Sequence, residues 1–294
     1  PVRFRTTFRN CIYDMFRSRG WLETESDTDW DVAWVDKDWI RTNFDGQYLS
    51  DHQRINHFRN HYELTRKDNL IKNLKRTQRQ LLKEGRDDEA ANYDFFPGTY
   101  VLPADYGLFV EEFKIHPPGS IWIMKPTGSA QGKGIFLFNK LSAIADWKKD
   151  KKVNDEKAEP AAYVVQLYIH NPQLVGGKKF DLRLYVLVTS YSPLTVYIYR
   201  SGFARFSSYR YNTNVKNLGD TFVHLTNAAI QKTAPGFDAS LGSKWPLRNY
   251  KMYLIAKYGM QATDKLFSSI EQLCINTLLS VQKVIMNDKH CFEM

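Results

Sequence analysis

Two stretches of the chain carry residue types suited to negatively charged oxygen. Residues 125–134, KPTGSAQGKG, place small residues between Lys125 and Lys133. Glycine admits close backbone approach and unusual dihedrals, so a run of amides beside a lysine makes an anion-binding concavity. Neither the GxxxxGK[ST] order nor GxGxxG is present, so phosphate binding competes here with an ordinary long hairpin loop. Residues 178–185, KKFDLRLY, read as the start of a strand. Residues two apart in a strand share a face, which sets Lys179, Asp181 and Arg183 on one side and Leu182 and Leu184 on the other. Such a face is more often an exposed edge. It also suits a polar cleft in which the aspartate organises cations for phosphate or carboxylate.

Weaker candidates follow downstream: Arg205 in GFARF, Thr226 and Asn227 in HLTN, and Lys244 in SKW. An arginine between phenylalanines at a strand end commonly snorkels to solvent, and Lys244 reads as exposed loop. His290 and Cys291 have no further Cys or His at ligand spacing and read as structural. There is no nucleophile elbow and no HExxH.

The elements that must hold these residues alternate between strand and helix. Residues 120–124 (SIWIM) and 135–138 (IFLF) read as buried strands on either side of the small-residue loop. Near the N-terminus, 4–20 read as a helix or strand–helix unit, WLETE and WDVAWVD as short strands, and KDWIRTNF as a helix. A helix is expected over 65–85, with Thr65 and Asp68 as a capping box, Leu70, Ile71, Leu74, Leu81 and Leu82 at helical spacing, and Gly85 at its C-terminal end. YDFFPGTYVLP is extended, ADYGLFVEEFKIH a short helix, LSAIADWKK another, and 148–162 a charged, solvated loop. YVVQLYI (163–169) is a buried strand, and the β-rich runs about Tyr191-Ser192-Pro193 form a hairpin. DTFVHLTN reads as a shorter strand, and the remainder as helices, the last from about Thr263 to Ile285. The expected fold class is α/β to α+β, with a mixed central sheet and a helical C-terminal end.

Composition bounds the rest. With 294 residues, 43% hydrophobic and 14% aromatic, the chain can build a sizeable core. No apolar run is long enough for a bilayer, and residues 1–20 are too charged for a signal peptide. Three scattered cysteines without a CxxC point to a reducing compartment. The net charge of +9 favours an acidic partner: nucleic acid, anionic lipid or a glutamate-rich protein surface. Starting at Pro1 and stopping after DKHCFEM, the chain is expected to be cut from something longer.

Taken in order, HYELTRKDNLIKNLKR (61–76), WIMKPTGSAQGKGIF (122–136), QLYIHNPQLVGGKKFDLRLYVLV (166–188), GFARF, FVHLTNAAIQK (222–232) and DKHCFE resemble the tubulin tyrosine ligase-like family, in its polyglutamylase branch. The resemblance implies one ligase domain over 1–294, with approximate subdomains 1–64, 65–178 and 179–294, on an ATP-grasp-type fold with mixed sheets. It makes the loop after Lys125 a flap over ATP. Lys125, Gln131 and Gly132 would meet the phosphates, with Gln131 also near the protein substrate. Gln166, Leu167, Tyr168 and Ile169 would edge the adenine, Lys179 and Asp181 would line the nucleotide, and Thr226 and Asn227 would lie beyond it. Arg205 and Lys244 would hold free L-glutamate.

The implied reaction joins glutamate to glutamate side chains of tubulin tails, using ATP and Mg²⁺. The implied partners are tubulin, microtubules and accessory proteins of a ciliary complex, with no nucleic acid and no membrane insertion. The implied setting is the cytoplasm and cytoskeleton, in the axoneme or basal body of a cilium or flagellum. The family's magnesium carboxylates come from strands beyond the position of Met294, so no metal ligand is expected in this chain and Glu293 is not taken as one. Two other readings stay open: a catalytically silent microtubule- or axoneme-binding protein, and a ligase for glycine or tyrosine.

Overall fold

The computed structural model describes residues 1–144, 162–237, 243–286 and 290–294, which fall into two compact units. The first comprises Pro1–Thr65, Tyr185–Arg200 and Ile270–Met294; the second comprises Arg66–Leu184 and Ser201–Ser269.

The first unit opens with β1 (Arg3–Thr6), α1 (Cys11–Ser18), β2 (Leu22–Glu23), β3 (Val32–Trp34), α2 (Lys37–Asn43), β4 (Arg54–Ile55) and α3 (Tyr62–Thr65). Asn10 and Asp36 cap α1 and α2 by accepting the Ile12 and Trp39 amides, which ends each preceding loop at a defined residue. The four strands form a parallel sheet in the order β2-β1-β3-β4. Its core gathers Trp30, Ile40, Phe44, Ile55 and Phe58 with Val188, Tyr191, Leu278, Val281, Ile285 and Cys291. Near the chain's last residues, Val188 exchanges backbone hydrogen bonds with Glu293, and Cys291 bridges to Ile55.

The second unit begins with α4 (Lys67–Lys83) and α5 (Asp87–Ala91). Ile71, Leu74 and Leu81 are buried and Gly85 takes the left-handed conformation that closes the helix. Leu82, expected on the apolar stripe, is exposed. The capping box does not form: the N-cap is Arg66, and Asp68 is engaged by the Arg66 guanidinium at 2.8 Å. A bidentate ion pair two residues apart takes that carboxylate, and the Thr65 amide donates instead to the His61 carbonyl.

β5 (Thr99–Leu102), α6 (Tyr106–Ile115), β6 (Trp122–Pro126), β7 (Phe136–Phe138) and β8 (Tyr163–Leu167) follow. Their strands form an antiparallel sheet in the order β5-β8-β6-β7, so β8 is paired on both edges. Behind it pack Leu102, Phe109, Trp122, Met124, Phe138 and Val165. The helix expected over LSAIADWKK is a single 3₁₀ turn as far as Ile144; its remainder and nearly all of the expected charged loop at 148–162 lie outside the described residues.

β9 (Leu174–Val175), β10 (Lys178–Tyr191), β11 (Leu194–Phe206), α7 (Thr221–His224), α8 (Ala228–Gln231), β12 (Lys244–Pro246), α9 (Leu247–Tyr258) and α10 (Met260–Ile285) complete the chain. β10 and β11 are the long hairpin, turning at Ser192-Pro193, within a third sheet of order β12-β11-β10-β9. Leu182 and Leu184 face the cluster of Val175, Ala204, Phe206, Leu247, Tyr250 and Leu254. The α/β composition is as expected, but in place of one central sheet the described residues form three.

DTFVHLTN is not a strand. Asp220 accepts the Phe222 amide and starts one helical turn, and the buried Gln231 amide donates to the carbonyls of Phe222 and Leu225. These side-chain bonds satisfy the backbone locally, which overrides the β preference of its Thr, Phe and Val.

Candidate functional site

Every residue singled out from the sequence for chemistry lies in the second unit. β6 buries Trp122, Ile123 and Met124 and delivers Lys125 at its far end. Lys125 Nζ donates to Gln166 Oε1 on β8 at 2.6 Å, and Gln166 Nε2 donates to Thr99 Oγ1 on β5 at 2.9 Å. The side-chain relay crosses three adjacent strands and ends on a hydroxyl, so the Lys125 partner is a neutral amide. Burial, with the Lys67 charge adding to it, pushes the Lys125 ammonium down to about 8.

Lys179, near the start of β10, donates to Tyr168 Oη at 2.8 Å and to the His224 carbonyl at 3.0 Å. Tyr168 is buried, and its ring lies under the ammonium with its centroid 4.5 Å away. The Asn217 carbonyl, 3.1 Å from His224 Nε2, can only accept, so that nitrogen carries the proton. His224 Nδ1 therefore accepts from Tyr168 Oη at 3.1 Å, which leaves the phenol oxygen a lone pair for Lys179. Burial and the Lys125 charge push Lys179 down to about 8, against an opposing pull from Asp181. Burial holds His224 below its ordinary value as well.

The loop that follows Lys125, expected from the resemblance to be a flap, brings its tip against Ile230 of α8. Lys67, the first residue of α4, donates to the carbonyls of Pro126 at 3.0 Å and Ser129 at 2.8 Å, tying down the loop's first limb. At the tip Gln131 and Gly132 adopt φ of +62° and +84°. A Cβ on Gly132 would stand 2.6 Å from Ile230 Cδ1 and 3.0 Å from Asn227 Oδ1. Only glycine gives both that dihedral and that approach.

A second corner forms around Asp181. Its Oδ2 accepts from Arg205 Nη2 at 2.6 Å and from Thr226 Oγ1 at 2.5 Å, and its Oδ1 accepts from Arg183 Nε at 3.1 Å. Arg205 is 8% exposed, so the snorkelling expected of it is not seen: β11 turns it toward Asp181. Among the described residues its buried Nε has no hydrogen-bond partner. An unpaired buried donor costs about 1–3 kcal/mol, so this edge of the guanidinium has capacity to donate one further hydrogen bond. Lys244 is the register partner of Arg205 across β11 and β12, and directly opposed residues share a face. Its ammonium lies over the Phe203 ring, 4.8 Å from the centroid.

The four positions expected to edge a base divide. Gln166 and Tyr168 enter the lysine clusters through their side chains. The Leu167 and Tyr168 amides are taken by the Gly98 and Ile121 carbonyls, both at 2.9 Å, and the Ile169 side chain is exposed. Two residues that no motif flagged belong to the site. Lys67 lies in HYELTRKDNL and His224 in FVHLTN, both inside the shared blocks, and that was their only signal.

Magnesium is not accommodated by this group. Asp181 is its one carboxylate, and both oxygens are held by guanidinium and hydroxyl donors. Among the described residues, three metal-ligating side chains converge only at His57, His61 and Glu293, in the first unit. There Glu293 binds His57 Nδ1 at 2.8 Å and the Phe58 amide at 3.1 Å, a pairing that fastens the last segment to the loop before α3.

The family model described as "Tubulin-tyrosine ligase family" matches residues 45–294. The "Probable tubulin polyglutamylase TTLL9" of Bos taurus is 48% identical over 100% of this chain and 69% of its own length. The "Probable tubulin polyglutamylase ttll-9" of Caenorhabditis elegans is 46% identical with the same coverage. The "Probable alpha-tubulin polyglutamylase Ttll1" of Tetrahymena thermophila is 44% identical over 100% of this chain and 74% of its own length. The family match over residues 45–294 and identities of 44–48% over the whole chain mean that the chain belongs to the tubulin-tyrosine ligase family.

Proposed function

We propose that this protein is an ATP-dependent ligase of ATP-grasp type that adds L-glutamate to glutamate side chains in the acidic tails of tubulin. The observation that carries the reading is the gathering of Lys67, Lys125 and Lys179 about a glycine-bearing flap, next to a buried arginine with an unsatisfied donor. Half-buried ammonium groups that depress one another's protonation are relieved by a polyanion, and a triphosphate supplies one. The unsatisfied edge of Arg205, with Lys244 opposite, suits the carboxylates of an amino acid.

The proposed chemistry balances with one ATP. An acceptor γ-carboxylate oxygen attacks the terminal phosphorus, its bond to ADP breaks, and an acylphosphate forms. The amino nitrogen of free glutamate then attacks the acyl carbon. A C–N bond forms, the C–O bond to phosphate breaks, and the amine proton leaves to solvent. The lysines and flap amides bear the phosphate charge in this scheme, and Arg205 with Lys244 orients the incoming amine. Tubulin is the proposed protein substrate on the strength of the relatives' names and the +9 charge, which sets the protein's place at the cytoskeleton.

Incorporation of radiolabelled amino acids into taxol-stabilised microtubules, with and without ATP, tests the reading. ATP-dependent incorporation of glutamate, without glycine or tyrosine, is expected. Incorporation of either other amino acid in place of glutamate would contradict it.

A further inference from the structure

The proposed ligase needs a way to hold a flexible acidic tail beside the flap, and one helix carries charge that nothing among the described residues answers. Lys72, Arg76, Arg79 and Lys83 are all exposed and lie on the face of α4 opposite buried Ile71, Leu74 and Leu81. Spacings of four, three and four residues set them in one stripe about 16 Å long. The cations flanking it are paired, Arg66 with Asp68 and Arg86 with Glu84 and Glu89. Among the described residues none of the four stripe cations makes an ion pair. Like charges at this spacing weaken a helix, and of the four only Lys83, in the last turn, is favoured by the helix dipole.

Its surroundings select the occupant. Among the described residues, Arg76, Arg79, Gln80 and Lys83 line a shallow cleft of about 320 Å³, with no carboxylate. A larger cleft of about 440 Å³ opens on the Lys72, Lys75 and Arg79 side, but its other wall carries Asp105, Glu111 and Glu112. An anionic chain is repelled from that wall and drawn along the crest of α4. The helix that carries the stripe also holds the flap, through Lys67 at its first turn.

We infer that this face of α4 docks the acidic C-terminal tail of tubulin, about five extended residues at a time, and leads it toward the flap. The inference rests on the proposed ligase reading and names its docking surface.

The test is microtubule co-sedimentation of the full chain and of its Lys72→Glu/Arg76→Glu/Arg79→Glu variant, over a salt series, on intact and subtilisin-trimmed microtubules. The reversed variant should bind intact microtubules about tenfold more weakly, as expected for three exposed ion pairs, with a shallower salt dependence. On trimmed microtubules the two proteins should bind alike. A Lys72→Arg/Arg76→Lys/Arg79→Lys variant should bind as the unaltered protein does, and ATP affinity should be unchanged in both. Unaltered binding by the reversed variant, or an equal loss on trimmed microtubules, overturns the inference; the latter would mean that the stripe meets the microtubule body. If the unaltered protein binds tails but transfers no glutamate, the ligase reading fails and the docking surface stands. If it transfers glutamate, and the reversed variant does so with the same microtubule KM, the docking surface fails and the ligase reading stands.

Discussion

Lys125 is half-buried and Arg205 buried, both cations at strand ends of the same unit, and their surroundings treat them in opposite ways. Lys125 faces a neutral amide and has other ammonium groups for electrostatic neighbours, so its proton is held loosely. Arg205 lies against a carboxylate that also accepts from Thr226 and Arg183, so its charge is matched and its orientation fixed. One corner lacks negative charge and the other lacks only an acceptor for one N–H. The difference separates two tasks. An uncompensated cluster favours a highly charged ligand such as a triphosphate, whereas a pre-oriented guanidinium favours a small carboxylate with defined geometry.

If the corners divide the work in this way, Lys125→Ala should have the largest effect. Removing a charge-assisted contact should weaken ATP binding about 10- to 100-fold, read by fluorescent nucleotide titration, with the far-ultraviolet dichroism spectrum unchanged. Arg205→Ala should come next, raising the KM for glutamate about tenfold or more with little change in that for ATP; Arg205→Lys should recover part of the loss. A smaller effect is expected of Gly132→Ala. The positive φ and the approach to Ile230 disfavour the flap's present conformation by about 1–2 kcal/mol, so the KM for ATP should rise about tenfold while glutamate dependence holds.

The smallest effect is a titration. Lys125 and Lys179 sit at about 8, so each is partly deprotonated at pH 8 and charged at pH 6. A bound polyphosphate favours the charged forms and raises both values. ATP binding should therefore take up protons at pH 8 and almost none at pH 6, and affinity should fall as pH rises from 7 to 9. Calorimetry in buffers of different ionisation enthalpy measures the uptake. Proton release at pH 8 would contradict the lysine assignment.

Local patterns in the sequence were good guides wherever local physics decides. The β6–loop–β7 hairpin announced itself by two apolar runs about small residues, and alternation alone put Lys179, Asp181 and Arg183 on one face. What stayed hidden depends on distant partners. No periodicity could show that Arg205 stands opposite Lys244, since that pairing comes from β12 folding back across an intervening segment of nearly forty residues. The role of Lys67 was equally hidden, because a lysine opening a helix gives no hint that it reaches a loop some sixty residues on. DTFVHLTN misled because propensity ignores side-chain bonds such as those of Asp220 and Gln231.

The division of labour between the two corners is most directly tested by measuring the ATP and glutamate KM values side by side in Lys125→Ala and Arg205→Ala, with microtubules as acceptor. A crossed result is expected, in which the first variant chiefly raises the KM for ATP and the second chiefly raises that for glutamate. Equal shifts of both constants in both variants would contradict it, and would make the cluster a single structural unit rather than two binding sites.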